Sequence, residues 1–201
     1  EELSRFKYED CIILGIPKGG AVIAKQIASI LDKPWDIIVP KKIPSPFNRE
    51  VAIGAVTQDG KSILNKDLIE HLKISENYIN IQIGKALFEI SKTLKEYKGC
   101  SYFPDIENKT AILVDDGIAT GYTFLAAINS ILDHNADKII AALPVAPVDA
   151  IDIIGRYVDE VICISIPQVF RYVGEYYDDF SQINDNEISG LFKQQTEVYF
   201  I

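Results

Sequence analysis

The chain has 201 residues, a formal net charge of −9 at pH 7 and 24% charged residues. This length allows one domain with a sizeable core, and the acidic balance argues against nucleic acid as a general partner, because such binding rests mainly on basic charge. No apolar run approaches the ~18 residues of a membrane helix, so we expect a single soluble domain over residues 1–201 with no membrane partner.

The N-terminus and the cysteines indicate a cytoplasmic protein. The opening stretch, EELSRFKYED, is acidic and lacks the basic start and apolar core of a signal peptide. The three cysteines, Cys11, Cys100 and Cys163, are odd in number and far apart. Because Cys11 and Cys163 lie in apolar runs, we expect them to be buried, reduced thiols. With two histidines and no CxxC, no zinc site is expected.

Strand-like and helix-like stretches follow one another along the first half of the chain. CIILGIP, from Cys11, predicts a buried strand followed by a helix through AVIAKQIASIL, and WDIIVP predicts a second strand that ends at Lys41 and Lys42. A basic, proline-broken loop, KKIPSPFNRE, follows. Residues 51–65 alternate around a central Asp-Gly, which is typical of a β-hairpin.

The second half of the chain continues the alternation. Ser75 is a suitable N-cap for a helix that runs to Tyr97. Three further strands are predicted in TAILVDD, KIIAALPVA and EVICISIP, with helical stretches between them. This pattern predicts an α/β fold, a Rossmann-like and mostly parallel sheet with helices on both faces. Residues 165–201 are aromatic, acidic and no longer alternating.

Three loops of unusual composition follow predicted strands: IPKGG, PKKIPSPFNRE and VDDGIATGYT. In open α/β sheets, ligands bind in the crevice outside the carboxyl ends of the strands, so these loops are predicted to surround one site. The basic residues Lys18, Lys41 and Lys42 in two of the loops suit a small phosphorylated ligand.

The third loop offers binding groups for a phosphorylated sugar. Residues 117–123 supply glycines for a tight turn, the hydroxyls of Thr120 and Thr123, and a helix start, which together make a nest for a phosphate monoester. Asp115 and Asp116 would repel that phosphate unless a ribose lay between, with its hydroxyls donating to the carboxylates. A lone aspartate here would more often be an N-cap, but two followed by Gly-x-x-Thr-Gly-x-Thr are harder to explain as capping.

VDDGIATGYT resembles the 5-phosphoribosyl-1-pyrophosphate (PRPP) motif of the type I phosphoribosyltransferases. The resemblance extends along nearly the whole chain to a family of small predicted phosphoribosyltransferases with no settled substrate, through IPKGG, KKIPSPFNREVAIGAV, ILVDDGIATG, ALPVAP and VGEYYDDFSQINDNEI. It implies a small hood beside the sheet, formed by the hairpin of residues 54–65 and by residues 165–201. It also implies Mg²⁺-PRPP as donor, a nitrogenous acceptor with nucleobases among the candidates, and release of pyrophosphate.

The resemblance assigns roles to residues of the loops. Asp115 and Asp116 would hold the ribose hydroxyls and form the catalytic set with Lys42. The 5′-phosphate would be bound by Gly117, Ile118, Ala119, Thr120, Gly121, Tyr122 and Thr123. Pyrophosphate would be bound by Lys41 together with Pro17, Lys18, Gly19 and Gly20, in a loop whose first peptide is often cis.

Each assignment in these loops has an alternative that needs no ligand. Gly19 and Gly20 would also suit a tight strand-to-helix turn, and Lys41 and Lys42 a solvated strand end. Family members more often carry arginine at the position of Lys18. Lysine keeps the charge but loses the bidentate fork, which would weaken the grip on pyrophosphate.

The same resemblance implies that the loop of residues 43–50 is a mobile lid, which Arg49 and Glu50 would complete. Closure would exclude bulk water, which would otherwise capture an oxocarbenium-like ribosyl cation.

The stretch IPQVFRYVGEYYDDF is similar to the hood segment of hypoxanthine-guanine phosphoribosyltransferases. With a one-residue shift, Phe170 would stack on the acceptor and Asp178 would approach Mg²⁺. Tyr172, Tyr176 and Tyr177 could shape the acceptor pocket instead. The alternative is that these aromatics are ordinary hood packing. Two departures argue against that particular activity: those enzymes carry an aspartate base where this chain has Ala119, and a lysine that reads the 6-oxo group where it has residues 145–147, Val-Ala-Pro.

Three functions from different classes fit the sequence. The favoured one is a phosphoribosyltransferase with an unidentified acceptor. The second is a non-catalytic sensor of PRPP or nucleotides on the same fold, and the third is an unrelated phosphate-ester enzyme such as a sugar-phosphate hydrolase. Many relatives are homodimers, but nothing in this sequence fixes an interface.

Overall fold

A computed structural model of the protein describes residues 1–49 and 51–197. The strands in chain order are β1 (Cys11–Gly15), β2 (Trp35–Ile37), β3 (Lys41–Pro44), β4 (Ala52–Val56), β5 (Ser62–Leu64), β6 (Thr110–Val114), β7 (Lys138–Val145) and β8 (Glu160–Ser165). The helices are α1 (Gly19–Leu31), α2 (Lys66–His71), α3 (Glu76–Lys98), α4 (Tyr122–Leu132), α5 (Val148–Ile154) and α6 (Asp185–Glu197), with 3₁₀ turns at Ser4–Tyr8 and Val173–Tyr176.

The main sheet has five strands in the order β2-β1-β6-β7-β8, and every neighbouring pair is parallel. The order of strands along the chain reverses between β1 and β6, because β2 lies on one side of this pair while β7 and β8 follow on the other. Such a switch point opens a crevice at the carboxyl ends of the two strands. The predicted α/β fold with a mostly parallel sheet is confirmed.

Successive residues of the central strands enter two different core clusters. Ile13 of β1 and Ile112 of β6 pack in the cluster that contains residues of α1, α3 and α6. Their neighbours Leu14 and Leu113 pack in the cluster that contains residues of α4 and α5. Since side chains alternate between the faces of a strand, helices cover both faces, as a parallel sheet requires.

The second sheet is antiparallel, in the order β3-β4-β5. β4 and β5 form the hairpin predicted around the Asp-Gly pair, with Gly54 opposite Leu64. The carboxylate of Asp59 fixes its turn, accepting hydrogen bonds from the hydroxyls of Thr57 at 2.6 Å and of Ser130 on α4 at 2.7 Å. The hairpin is therefore tied to the helix that follows β6.

Two parts of the chain differ from the sequence prediction. The second strand stops at Ile37, and Lys41 and Lys42 instead begin β3, because this segment pairs with β4 of the separate sheet. No helix is predicted in the last segment, yet α6 forms there. Its apolar residues Ile188, Leu191 and Phe192 follow the i, i+3, i+4 spacing of a helix that buries one side, and Ile188 is fully buried.

The three cysteines are free. Cys11 is buried in β1, as expected, whereas Cys163 is only half-buried, so the expectation of a buried thiol is wrong there, because β8 lies at the edge of the sheet. Burial raises the pKa of both thiols above the usual cysteine value. Within residues 1–49 and 51–197, no helix has the length and apolar character needed to cross a membrane.

Candidate functional site

The loops that follow β1 and β6 lie side by side at the switch point of the main sheet. β1 and β6 are paired to their last residues, Gly15 and Val114. The amide of Ile16 then donates to the carbonyl of Val114 at 2.9 Å, which holds the two strand ends together. The loop of residues 17–20 therefore starts next to the loop of residues 115–121, as the carboxyl-end argument predicts.

Glycines allow the two loops to touch. A Cβ atom added at Gly19 would lie 2.0 Å from Oδ2 of Asp116, and one added at Gly20 would lie 2.7 Å from the carbonyl oxygen of Val114 and 2.9 Å from Cα of Asp115. Contacts this short do not occur between real atoms, so neither position accepts a side chain without movement. The need for glycine here comes from close approach between the loops.

The loop after β1 has an unusual backbone. The Pro17–Lys18 peptide is cis, the geometry that the resemblance leads us to expect in a pyrophosphate loop. Lys18 then stands at the N-cap position of α1, which has thirteen residues. Its ammonium group is half-exposed and lies 3.1 Å from a carboxylate oxygen of Asp185, at the start of α6.

Asp115 and Asp116 are half-buried and close to one another. Burial, followed by repulsion from Asp116, raises the pKa of Asp115 well above its usual range, and burial raises the pKa of Asp116. Asp115 accepts a hydrogen bond from the amide of Asp116 at 2.9 Å, and the hydroxyl of Tyr177 donates to the carbonyl of Asp116 at 2.5 Å. The pair is thus held in place and would be stabilised by a bound donor group or cation.

The loop from Gly117 to Gly121 is anchored at both ends. Gly117 has a φ of +156°, and a Cβ there would lie 2.7 Å from Cγ1 of Val173. Ile118 is buried, and its amide donates to the carbonyl of Val145 at 3.3 Å. Its side chain and amide therefore hold the loop in place, and the amide is already used within the protein. Gly121 is left-handed at the N-cap of α4.

The exposed part of this loop can bind an anion. Ala119 and Thr120 are exposed, and Tyr122 and Thr123 form the first turn of α4. The first N–H groups of a helix have no partner within the helix and stand at the positive end of its dipole. A phosphate monoester is the natural ligand for this combination of exposed loop and helix start.

A cavity of about 530 Å³ opens beside the carboxylate pair. Its lining includes Lys18, Gly19 and Asp116 from the two loops, and Tyr177, Asp179 and Phe180 from the segment after β8. The rings of Tyr177 and Phe180 pack together with centroids 5.2 Å apart. Burial and the two nearby aspartates raise the pKa of Tyr177 to about 12, so its hydroxyl remains a donor at neutral pH.

The hood residues predicted to meet the acceptor and metal have other surroundings. Phe170 stacks on Tyr176, with ring centroids 5.8 Å apart, and Tyr172 is 62% exposed. Asp178 is exposed, and its neighbour Asp179 lines the cavity. From this segment, the residues that line the cavity are Tyr177 and the stretch from Asp179 to Ile183, so the roles of Phe170, Tyr172 and Asp178 stay predictions.

The described residues of the predicted lid and of the predicted strand end lie in β3 or in the loop after it. Lys41 forms an ion pair with Glu89 on α3, and Lys42, next to it on the strand, is exposed. In the predicted lid, Ile43 and Pro44 belong to β3, and Arg49 is exposed. Glu50 lies outside the described residues.

Sequence reasoning did not single out Asp179, Phe180 and Asp185. Asp179 belongs to the run YYDDF, in which two adjacent aspartates make the alignment ambiguous by one position. Phe180 and Asp185 come from a segment without clear periodicity. The available signal was the concentration of aromatic and acidic residues, which marks the segment but not the side chains that face the cavity.

Crevices at the switch point of a parallel sheet are where doubly wound α/β proteins bind their ligands, and this chain has the fold and the loops of that class. The chain matches the phosphoribosyl transferase domain over residues 1–179, and it belongs to that family.

Three known proteins illustrate the relationship. Rv0571c of Mycobacterium tuberculosis, named provisionally as a phosphoribosyl transferase, is 33% identical over 189 residues, covering 94% of this chain and 42% of that protein. The chain therefore spans less than half of this relative. The bifunctional protein PyrR of Haemophilus ducreyi is 31% identical over 127 residues, covering 60% of this chain and 70% of PyrR. The crystal structure of TT1426 from Thermus thermophilus has a TM-score of 0.79 at 26% identity, covering 96% of this chain and 91% of the other.

Proposed function

We propose that this protein is a phosphoribosyltransferase that transfers the 5-phosphoribosyl group of PRPP to a nitrogenous acceptor and releases pyrophosphate. The observation that carries the proposal is the close approach of Gly19 to Asp116, which brings the loop after β1 next to the carboxylate pair and the loop before α4. In PRPP, a ribose diol lies between a 5′-phosphate and a pyrophosphate, just as the carboxylate pair lies between the loop before α4 and the loop after β1. One molecule could therefore use all three parts of the site.

The groups of the site have complementary roles toward such a donor. The exposed loop at Ala119 and Thr120, with the first turn of α4, would bind the 5′-phosphate. Asp115 and Asp116 would accept hydrogen bonds from the ribose hydroxyls. The amides and the lysine of the loop after β1 would face the pyrophosphate.

In the reaction, the bond from C1 of the ribose to the pyrophosphate oxygen breaks, and a bond from C1 to an acceptor nitrogen forms. Positive charge develops on the ribose between these events. Asp115 and Asp116, as carboxylates beside the sugar, would stabilise that charge, because fixed charges in a site that excludes water act strongly on a developing charge. Their raised pKa in the free protein means that donor binding must favour the ionised form.

The residues present fit a magnesium ion that enters with the donor. In residues 1–49 and 51–197, no cluster of three or more histidine, cysteine, aspartate or glutamate side chains could hold a metal. Magnesium usually keeps several waters and binds through substrate phosphates and one or two carboxylates, which Asp116 and Asp179 could provide. Such an ion would neutralise the pyrophosphate in a cavity that also has acidic side chains.

Two aromatic residues that line the cavity support a planar acceptor. Tyr177 and Phe180 present aromatic rings, and aromatic faces favour planar, conjugated ligands. A planar nitrogen heterocycle therefore suits the acceptor position best. Ala119 and residues 145–147 lack the groups by which hypoxanthine-guanine enzymes read their purine, so we do not expect hypoxanthine or guanine to be favoured.

The test is a thermal-shift titration with PRPP and Mg²⁺, compared with ribose 5-phosphate, AMP, GMP and UMP. Wild type is set against Asp115→Asn/Asp116→Asn and against a control with the same charge change, Asp149→Asn/Asp152→Asn, at exposed positions of α5. At a hundred times its Kd, PRPP should stabilise wild type and control by about 2.7 kcal/mol, and the site variant not at all.

A second assay, pyrophosphate release with a panel of heterocycles, separates the remaining functions. Release that requires both PRPP and an acceptor supports the transferase. If PRPP binds but no pyrophosphate is released with any acceptor of the panel, the result would support the sensor instead. If PRPP stabilises the site variant as much as wild type, the assignment of the carboxylates is wrong.

A further inference from the structure

The protein has a C-terminal arm, residues 180–197, beyond the region that matches the family domain. The match ends at residue 179, and α6 begins six residues later. The arm returns to the main body and packs against α3 and α1. It therefore adds contacts that the shared domain does not include.

The arm is fixed by both packing and capping. Ile188 is fully buried in the core, and the ring of Phe192 stacks on that of Trp35 with centroids 4.5 Å apart. At the start of α6, the amide of Asn184 donates to Oε2 of Glu187 at 2.7 Å and the amide of Glu187 donates to Oδ1 of Asn184 at 3.0 Å. This reciprocal pair is a capping box, which defines where the helix begins.

The fixed start of α6 places Asp185 between two donors. Its carboxylate accepts a hydrogen bond from the hydroxyl of Tyr97, which is buried at the end of α3. Its other contact is the ammonium group of Lys18, at 3.1 Å. One partner is rigid and the other is a flexible side chain in the loop after β1, so Asp185 restrains Lys18.

We propose that Asp185 is a positioning residue that aims Lys18 at the pyrophosphate of the donor, so that the C-terminal arm sets the affinity of the site for pyrophosphate. This inference rests on the proposed function. Lysine has three N–H donors, and a single contact with Asp185 leaves others for phosphate oxygens. A lysine that is already restrained loses less rotamer freedom when the ligand binds.

The electrostatics of the cavity explain why the direction of this lysine matters. Among the described residues that line the cavity, Lys18 is the only basic one, whereas Asp116 and Asp179 are acidic. An incoming pyrophosphate therefore meets one favourable side-chain charge. If Lys18 turned into solvent, that charge would act through water, where a unit charge has only a weak effect.

The experiment is calorimetric titration of the full chain with inorganic pyrophosphate plus Mg²⁺ and, separately, with ribose 5-phosphate. Asp185→Asn should weaken pyrophosphate binding about 3- to 10-fold and leave ribose 5-phosphate unchanged, because only the first ligand needs Lys18. Asp185→Glu, which keeps the charge, should recover most of the affinity. Asp152→Asn, an equal charge change on exposed α5, should match wild type for both ligands.

Tyr97→Phe is a second variant that leaves the charges unchanged. It removes the other donor to Asp185 and should weaken pyrophosphate binding about 2-fold, again without an effect on ribose 5-phosphate. The inference is overturned if Asp185→Asn binds pyrophosphate as tightly as wild type or more tightly, or if both ligands weaken together. If wild type binds neither pyrophosphate nor ribose 5-phosphate, the proposed function fails as well. Wild-type binding of both with no change in Asp185→Asn would reject the positioning role alone.

Discussion

Gly20→Ala tests whether the two loops of the site are as closely packed as the structure shows. The added Cβ would lie 2.7 Å from the carbonyl oxygen of Val114 and 2.9 Å from Cα of Asp115. Both are backbone atoms at the end of a buried strand, so they cannot rotate away as a side chain would. Overpacking of this kind costs about 1–3 kcal/mol, and the shift would also displace Asp115 from its position for a ligand.

The matched control is Gly84→Ala, on the exposed side of α3. Apart from the adjacent backbone of α3 itself, no heavy atom of the described residues lies within 4 Å of a Cβ added there, and alanine is a better helix residue than glycine by about 0.8–1 kcal/mol. The same chemical change is therefore expected to act with opposite sign at the two positions. For a domain of this size, 1 kcal/mol corresponds to about 2–4 °C in Tm.

Thermal and urea unfolding of the three proteins gives the result. Gly20→Ala should have a Tm about 2–12 °C below wild type, and Gly84→Ala about 2–4 °C above it. PRPP with Mg²⁺ should stabilise Gly84→Ala as much as wild type, and Gly20→Ala less. A Gly20→Ala protein as stable as Gly84→Ala would refute the close approach of these loops.

Two further predictions concern charge. Asp115→Asn/Asp116→Asn should stabilise the ligand-free protein at neutral pH, because burial raises the pKa of both carboxyl groups and their ionised form is disfavoured in the folded state. Since each folded-state pKa lies above the unfolded value, this gain should be absent below about pH 4 and grow toward neutrality in urea unfolding; a loss of stability at pH 7 would contradict it. Lys98→Met should cost about 3 kcal/mol, because the Lys98 side chain is 7% exposed and donates to both carboxylate oxygens of Asp36 at 2.8 Å. The partner of Lys109, Asp105, is exposed, so Lys109→Met should lower the free energy of unfolding by less than about 1 kcal/mol. Equal losses in the two variants would show that burial does not decide the effect.

Local patterns in the sequence were sufficient to predict the strands of the main sheet and the loop that follows β6. The apolar runs of β1, β6 and β7 have strand length and end in turn signals, which identifies them without reference to the rest of the chain. Ser75 accepts from the amide of Tyr78 at the start of α3, as a predicted N-cap should. The pair Asp115–Asp116 before a glycine-rich turn indicated a sugar-phosphate ligand because those groups are adjacent in the chain.

Contacts between distant segments could not be obtained in this way. The sequence predicts that the second strand ends at Lys41 and Lys42. Their segment instead pairs with β4, because backbone pairing depends on which strand is nearby and not only on local propensity. After β8, the ring of Phe170 stacks on that of Tyr176, whereas Tyr177 and Phe180 line the cavity.

The sequence by itself determined the alternation of strands and helices in the main sheet, the class of fold and the position of two adjacent carboxylates before a glycine-rich turn, because these follow from periodicity and from neighbouring residues. The tertiary structure alone decided that Gly19 touches Asp116, that Tyr177 holds its carbonyl and that Asp185 reaches Lys18. Lys18 and Asp185 lie near opposite ends of the chain. Burial of Ile188 and the stacking of Phe192 on Trp35 bring them together, and no local pattern encodes that approach.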